Sequence, residues 1–143
     1  MDSTFQDRRN LLAAACGGAA LLWLAAGRSG HSPSEFKVPE LSIAQAKVLV
    51  DVGVMAIDVR DQEKFAYRHL PTAVLVPLVV LRAGIPAWLV ASKSKQIIVY
   101  CNRGVSHGPE ATHLLQVAGF TQVANLTSGI EGWAEAGMPI KSS

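Results

Sequence analysis

A chain of 143 residues holds one compact domain and a tail, since domains commonly contain about 100 to 150 residues, and two independent cores are excluded. Half of the residues are hydrophobic and 17% are charged, which excludes a disordered segment and suits a folded α/β domain. A formal net charge of +2, carried by scattered lysines and arginines, excludes the dense basic stripe of a nucleic-acid surface, so no nucleic-acid partner is expected.

The first segment, "DRRNLLAAACGGAALLWLAAGRSG", places Arg8 and Arg9 ahead of an uncharged run over residues 11–27. It resembles a twin-arginine export signal, in which an arginine pair precedes a moderately apolar core rich in alanine and glycine. As a helix the run extends roughly 25 Å, against a hydrocarbon layer of about 30 Å. Residues 1–27 are therefore expected to be either a cleaved signal peptide, with Ala25 and Gly27 at the cleavage site, or a membrane anchor. In both cases the domain lies outside the cytoplasm, periplasmic or anchored to the membrane. Cys16 reads as a small hydrophobe within that run. Residues 28–40, polar and containing Gly, Ser and Pro, read as a linker to a domain over residues 41–143.

In the domain, Ser42 and Gln45 have capping-box spacing and predict a helix over residues 43–50. "VMAIDVR" predicts a buried strand ending near Asp58. "DQEKFAYRHLP" predicts a helix stopped by Pro71, and "TAVLVP" a short strand. A helical stretch is expected over residues 81–92. "KQIIVYC" is apolar without alternation, the pattern of a central parallel strand. "GPEATHLLQVAGF" predicts a helix with Pro109 in its first turn and Gly119 just past its end. "TQVANL" is a last strand and "GIEGWAEAG" a last short helix. Strands separated by helices argue for an open parallel sheet with helices on both faces. Such sheets bind ligands at the carboxyl ends of their strands, here Asp58, Cys101 and Leu126 with Thr127.

The stretch "VYCNRGVSHGPEATHLL" puts Cys101 at a strand end, before a loop and a helix start. A thiolate there needs a stabiliser, and the loop amides together with the positive end of the helix form an anion-binding nest. Gly104 allows the backbone a positive φ. Arg103 adds a cation and His107 a titratable ring, whereas Glu110 opposes the thiolate if it faces the loop. His113 reads as a surface or core-edge residue. No zinc-type Cys pair exists, so no metal is expected, and no disulfide framework can be read from two distant cysteines.

From residue 41 to residue 140 the chain resembles the rhodanese family of sulfurtransferases. "AIDVRDQEKFAYRHLPTA" is similar to the family's first signature, "IIVYCNRGVS" to its active-site strand and loop, and "LTSGIEGWAEAGMPI" to its terminal signature. Thr72 and Ser128 stand where glycines are usual. Ser106 stands where many small members have arginine, and His107 where serine or threonine is frequent. The resemblance implies that Cys101 is the catalytic nucleophile and that it carries sulfur as a persulfide. The donor would be a small sulfur compound such as thiosulfate, and the acceptor cyanide, a thiol or a partner protein. No cofactor is implied. Asn102, Arg103, Gly104, Val105 and Ser106 would bind the substrate, with Asp58, Arg60 and His107 in support. The alternative within the family is a protein-binding module whose cysteine does not turn over. A cysteine phosphatase, with its Cys-x5-Arg loop, is disfavoured because His107 stands where that loop needs a guanidinium.

Overall fold

The computed structural model describes residues 35–143. Arg8, Arg9, Cys16, the expected signal or anchor over residues 1–27 and most of the linker lie outside the described residues. Among the described residues no helix is long and apolar enough to cross a membrane.

Five strands, β1 (Glu40–Leu41), β2 (Met55–Asp58), β3 (Ala73–Leu75), β4 (Ile97–Tyr100) and β5 (Val123–Leu126), form one sheet in the order β1-β5-β4-β2-β3, every pair parallel. The helices are α1 (Ile43–Asp51), α2 (Gln62–Tyr67), α3 (Leu78–Ala83), α4 (Ala87–Val90), α5 (His107–Val117) and α6 (Gly129–Glu135). Alternation along the strands divides the core in two. On one face Ile57, Val99, Cys101 and Val123 pack with Leu78 and Leu81 of α3, Leu89 of α4 and Ala111 and Leu115 of α5. On the other face Ala56, Ile98, Tyr100 and Leu126 pack with Ala46 and Val50 of α1 and Ile130 and Trp133 of α6. The expected α/β architecture, an open parallel sheet with helices on both faces, is what forms.

Local chemistry explains most boundaries. Ser42 and Gln45 close a reciprocal capping box, with Gln45 N–H donating to Ser42 Oγ at 3.2 Å and Ser42 N–H donating to Gln45 Oε1 at 2.9 Å. Pro109 lies in the first turn of α5, and Gly119 follows its end at φ +97°.

Three elements differ from expectation. The helical stretch placed over residues 81–92 is two helices, because Pro86 disfavours a helical Ile85 and Gly84 follows the end of α3. Helix α2 stops at Tyr67, four residues before Pro71. Arg68 is already extended, at φ −162° and ψ 142°, and His69 pairs antiparallel with Lys141 near the carboxyl terminus. Glu40, the last residue assigned to the linker, pairs with β5 as part of a two-residue strand too short to carry a periodic signal.

Candidate active site

Parallel order brings the carboxyl ends of β2, β4 and β5 side by side, and Cys101 is the first residue beyond β4. It is 5% exposed, at the base of the loop 102–106 that feeds α5. The backbone N–H of Gly104 donates to Cys101 Sγ at 3.2 Å, so of the five loop residues expected to stabilise the sulfur, Gly104 contributes the hydrogen bond observed. Two features make glycine necessary at position 104. Its φ is +75°, and a Cβ there would overlap the carbonyl oxygens of Leu126 and Thr127.

The loop is gripped from behind. Asn125, fully buried in β5, donates its side-chain amide to the Gly104 carbonyl at 2.9 Å. The first amides of α6 take the loop's other carbonyls, Ile130 N–H donating to Cys101 and Glu131 N–H to Asn102, each at 3.0 Å. Gly129, at φ +58°, is pressed against the Asn102 carbonyl, where a Cβ would overlap. Gly108 closes the helix side: a Cβ there would overlap Asn125 Oδ1 and lie 3.4 Å from Cys101 Sγ.

A second brace comes from β2. Asp58 is fully buried, and the Arg60 guanidinium grips its carboxylate from Nε at 3.0 Å and from a terminal nitrogen at 2.7 Å. That terminal nitrogen also donates to the Arg68 carbonyl at 2.6 Å, which the early end of α2 leaves available, and the other reaches Asn102 Oδ1 at 3.3 Å. Arg60 therefore ties β2, the turn after α2 and the cysteine loop together. Beneath it lies the Tyr100 ring, 5.7 Å from Arg60 Cζ, and the Tyr100 hydroxyl oxygen accepts the Leu70 N–H at 3.2 Å. Burial, reinforced by the Asp58 charge, pushes the Tyr100 phenol well above its usual range, so it stays neutral.

Above the sulfur opens a cleft of about 570 Å³. Its rim carries Arg103, Val105, Ser106 and His107, all exposed. Ser106 precedes α5 without a side-chain cap, so no hydroxyl occupies the first-turn amides of the helix. The rim cations are matched by acids. Arg103 Nε lies 3.2 Å from Glu131 Oε2 and Lys64 Nζ 3.0 Å from Asp61 Oδ2. Arg82 makes a two-pronged contact with Glu110 at 2.6 and 2.8 Å. The Arg82 hydrogen bonds hold the Glu110 carboxyl below the usual carboxylate range, and its charge is answered there. His113 is half-buried, its ring 5.0 Å from that of Phe36.

The expected residues thus form two groups, with Cys101, Asn102, Gly104, Asp58 and Arg60 in the floor and Arg103, Val105, Ser106 and His107 on the rim. Asn125, Arg82, Lys64 and Glu131 were not anticipated. Asn125 left a signal, as the one polar residue in the apolar strand "VANL". Arg82 and Glu131 left none, because Arg82 meets Glu110, and Arg103 meets Glu131, only across 28 residues of chain, whereas Lys64 stands three residues from Asp61 and its pairing is local.

A buried thiol under a glycine amide thus closes a central parallel strand, ahead of a loop and a helix start. Residues 42–136 match the rhodanese-like domain. The chain belongs to that family. Thiosulfate sulfurtransferase GlpE of Haemophilus influenzae is 30% identical over 104 residues, covering 73% of this chain and 95% of that protein. A sulfurtransferase of Allochromatium vinosum is 31% identical over 90 residues, covering 61% of this chain and 78% of its own length. Among solved structures, the rhodanese-like domain of the Anabaena protein Alr3790 superposes with a TM-score of 0.63 at 25% identity, covering 73% of this chain and 80% of that one. This rhodanese-like domain is therefore of the sulfurtransferase type at the level of the family.

Proposed function

We propose that this domain transfers a sulfane sulfur from a donor such as thiosulfate to a thiophilic acceptor, cyanide or a thiol, through a persulfide on Cys101. The observation that carries the reading is the Cys101 sulfur beneath the Gly104 N–H, at the base of an open cleft. The thiolate attacks the outer sulfur of thiosulfate, a Cys101 S–S bond forms, the S–S bond of the donor breaks, and its electron pair leaves with sulfite. The acceptor's lone pair then attacks the terminal sulfur, and the Cys101 S–S pair returns to the thiolate. Covalent catalysis of this kind divides one transfer into two lower barriers. In both steps the charge sits on sulfur, where an oriented amide stabilises it without reorganisation.

The rim supplies binding. Arg103 exchanges its Glu131 partner for the sulfonate end of the donor, and Arg82 and His107 stand beside the same cleft. The test is the mass of the protein after incubation with thiosulfate: a gain of one sulfur atom, lost on cyanide addition and absent in Cys101→Ser, supports the reading. A protein that gains no sulfur overturns it. The same reading places the domain outside the cytoplasm, exported through residues 1–27, because Arg8 and Arg9 precede an apolar run. Replacing both with lysine should leave the precursor in the cytoplasm, and normal export of that variant would refute a twin-arginine route.

A further inference from the structure

On the far side of the cysteine loop from the cleft lie two buried polar residues that the sulfur chemistry does not use. Glu40 of β1 and Asn125 of β5 are register partners, so both side chains project on the same face of the sheet. Glu40 is 6% exposed and Asn125 fully buried, yet among the described residues neither carboxyl oxygen of Glu40 nor Asn125 Oδ1 has a partner at hydrogen-bond geometry. The orientation of Asn125 is fixed by its other end, since its Nδ2 donates to the Gly104 carbonyl. Gly108 closes the helix side so tightly that a Cβ would overlap Oδ1. An ionised Glu40 is an acceptor only, so it would leave Asn125 Oδ1 without a donor, at the cost of an unpaired buried polar group. A single proton on the carboxyl supplies the missing donor.

We propose that Glu40 is a positioning residue for the sulfur: protonated, it donates its O–H to Asn125 Oδ1 and so steadies, through the Asn125 amide, the Gly104 unit whose N–H points at Cys101. The chain of contacts runs from the sheet's edge strand to the nucleophile through groups that are all buried. Burial is the larger influence on the Glu40 carboxyl and holds it above the usual glutamate range, in the direction the proton requires. No charged neighbour among the described residues offsets this. Pro39, Leu41 and the residues of β5 carry no charge, and Lys37 is exposed. On α5, His107 lies at the exposed mouth, Glu110 is bound to Arg82 and His113 packs against Phe36.

The test compares the full chain as wild type, Glu40→Gln and Glu40→Leu, following iodoacetamide labelling at the Cys101 peptide near pH 6, about two units above an ordinary glutamate. Glutamine can still donate to Asn125 and should label at the wild-type rate. Leucine cannot, and should label about fivefold more slowly, the equivalent of one lost hydrogen bond. A leucine variant that labels like the wild type overturns the proposal, as does a glutamine variant slowed as much as the leucine one. Should Glu40→Leu fail to fold, the infrared difference between wild type and Glu40→Gln decides, and absence of a protonated-carboxyl stretch in the wild type overturns it. Labelling needs no sulfur donor, so failure here is separate from any failure of sulfur transfer.

Discussion

The floor and the rim of the cleft are built on opposite principles. In the floor, Asp58 and Asn125 are fully buried, and the backbone at Gly104 and Gly129 is held against neighbouring carbonyls with no space for one more carbon. On the rim, Arg103, Lys64 and Arg82 have side chains between about half and three-quarters exposed, each matched by an acid across water-accessible space. A buried arrangement can fix a donor to within tenths of an ångström, because displacing it costs packing and hydrogen bonds together. An exposed ion pair can exchange one anion for another at little cost. The floor therefore suits chemistry at the sulfur, and the rim suits the arrival of an anionic donor.

That contrast is open to attack from several sides, and the floor should give the largest effects. Arg60→Ala leaves the Asp58 carboxylate buried without its partner and should destabilise the domain by about 3 to 5 kcal/mol, read as a fall in the urea midpoint, whereas Arg82→Ala on the rim should cost about 1 kcal/mol or less. Equal losses from the two variants would erase the distinction between floor and rim. Gly104→Ala forces a side chain into a left-handed backbone and into two carbonyl oxygens. A cost of about 2 to 4 kcal/mol, together with a sharp loss of Cys101 labelling, is expected, and an unaffected labelling rate would mean that the loop is not rigid where it meets the sulfur.

Smaller effects sharpen the comparison. Because the folded carboxyl of Glu40 holds its proton above the unfolded value, its contribution to stability is complete below an ordinary glutamate's range, about 4.3, and is lost as pH rises through the raised folded value. The urea midpoint of the wild type should therefore fall relative to Glu40→Gln over that window, and parallel profiles would place Glu40 outside the buried network. Smallest of all, Arg103→Ala should raise the thiosulfate KM severalfold, in keeping with an exposed charge contact worth about 1 kcal/mol or less, while discharge of a preloaded persulfide to cyanide stays unchanged. Loss of discharge as well would mean that Arg103 shapes the floor.

The same division governs what the sequence discloses. The elements with strong local causes are legible in it. An unbroken apolar run gives β4, a capping box gives α1, and a glycine between a cysteine and a helix start locates the loop. Asp58 and Arg60 are legible through the resemblance of "AIDVRDQEKFAYRHLPTA" to the family's first signature, and in the structure the guanidinium folds back onto the carboxylate. What escapes notice is set by distance along the chain. Asn125 meets Gly104 across 21 residues, and Arg82 meets Glu110 across 28, so no local pattern pairs them. The break between α3 and α4 has a local cause in Gly84 and Pro86, which interrupt the apolar stretch.

The lengths of the strands have a consequence outside the active site. The two outermost strands, β1 and β3, have two and three residues, while the three between them have four each. An outer strand offers unpaired backbone groups to any extended chain that meets it, and a row of only two or three residues gives an incoming strand too few hydrogen bonds to hold. In the folded domain, margins this short give a second copy little backbone to pair with.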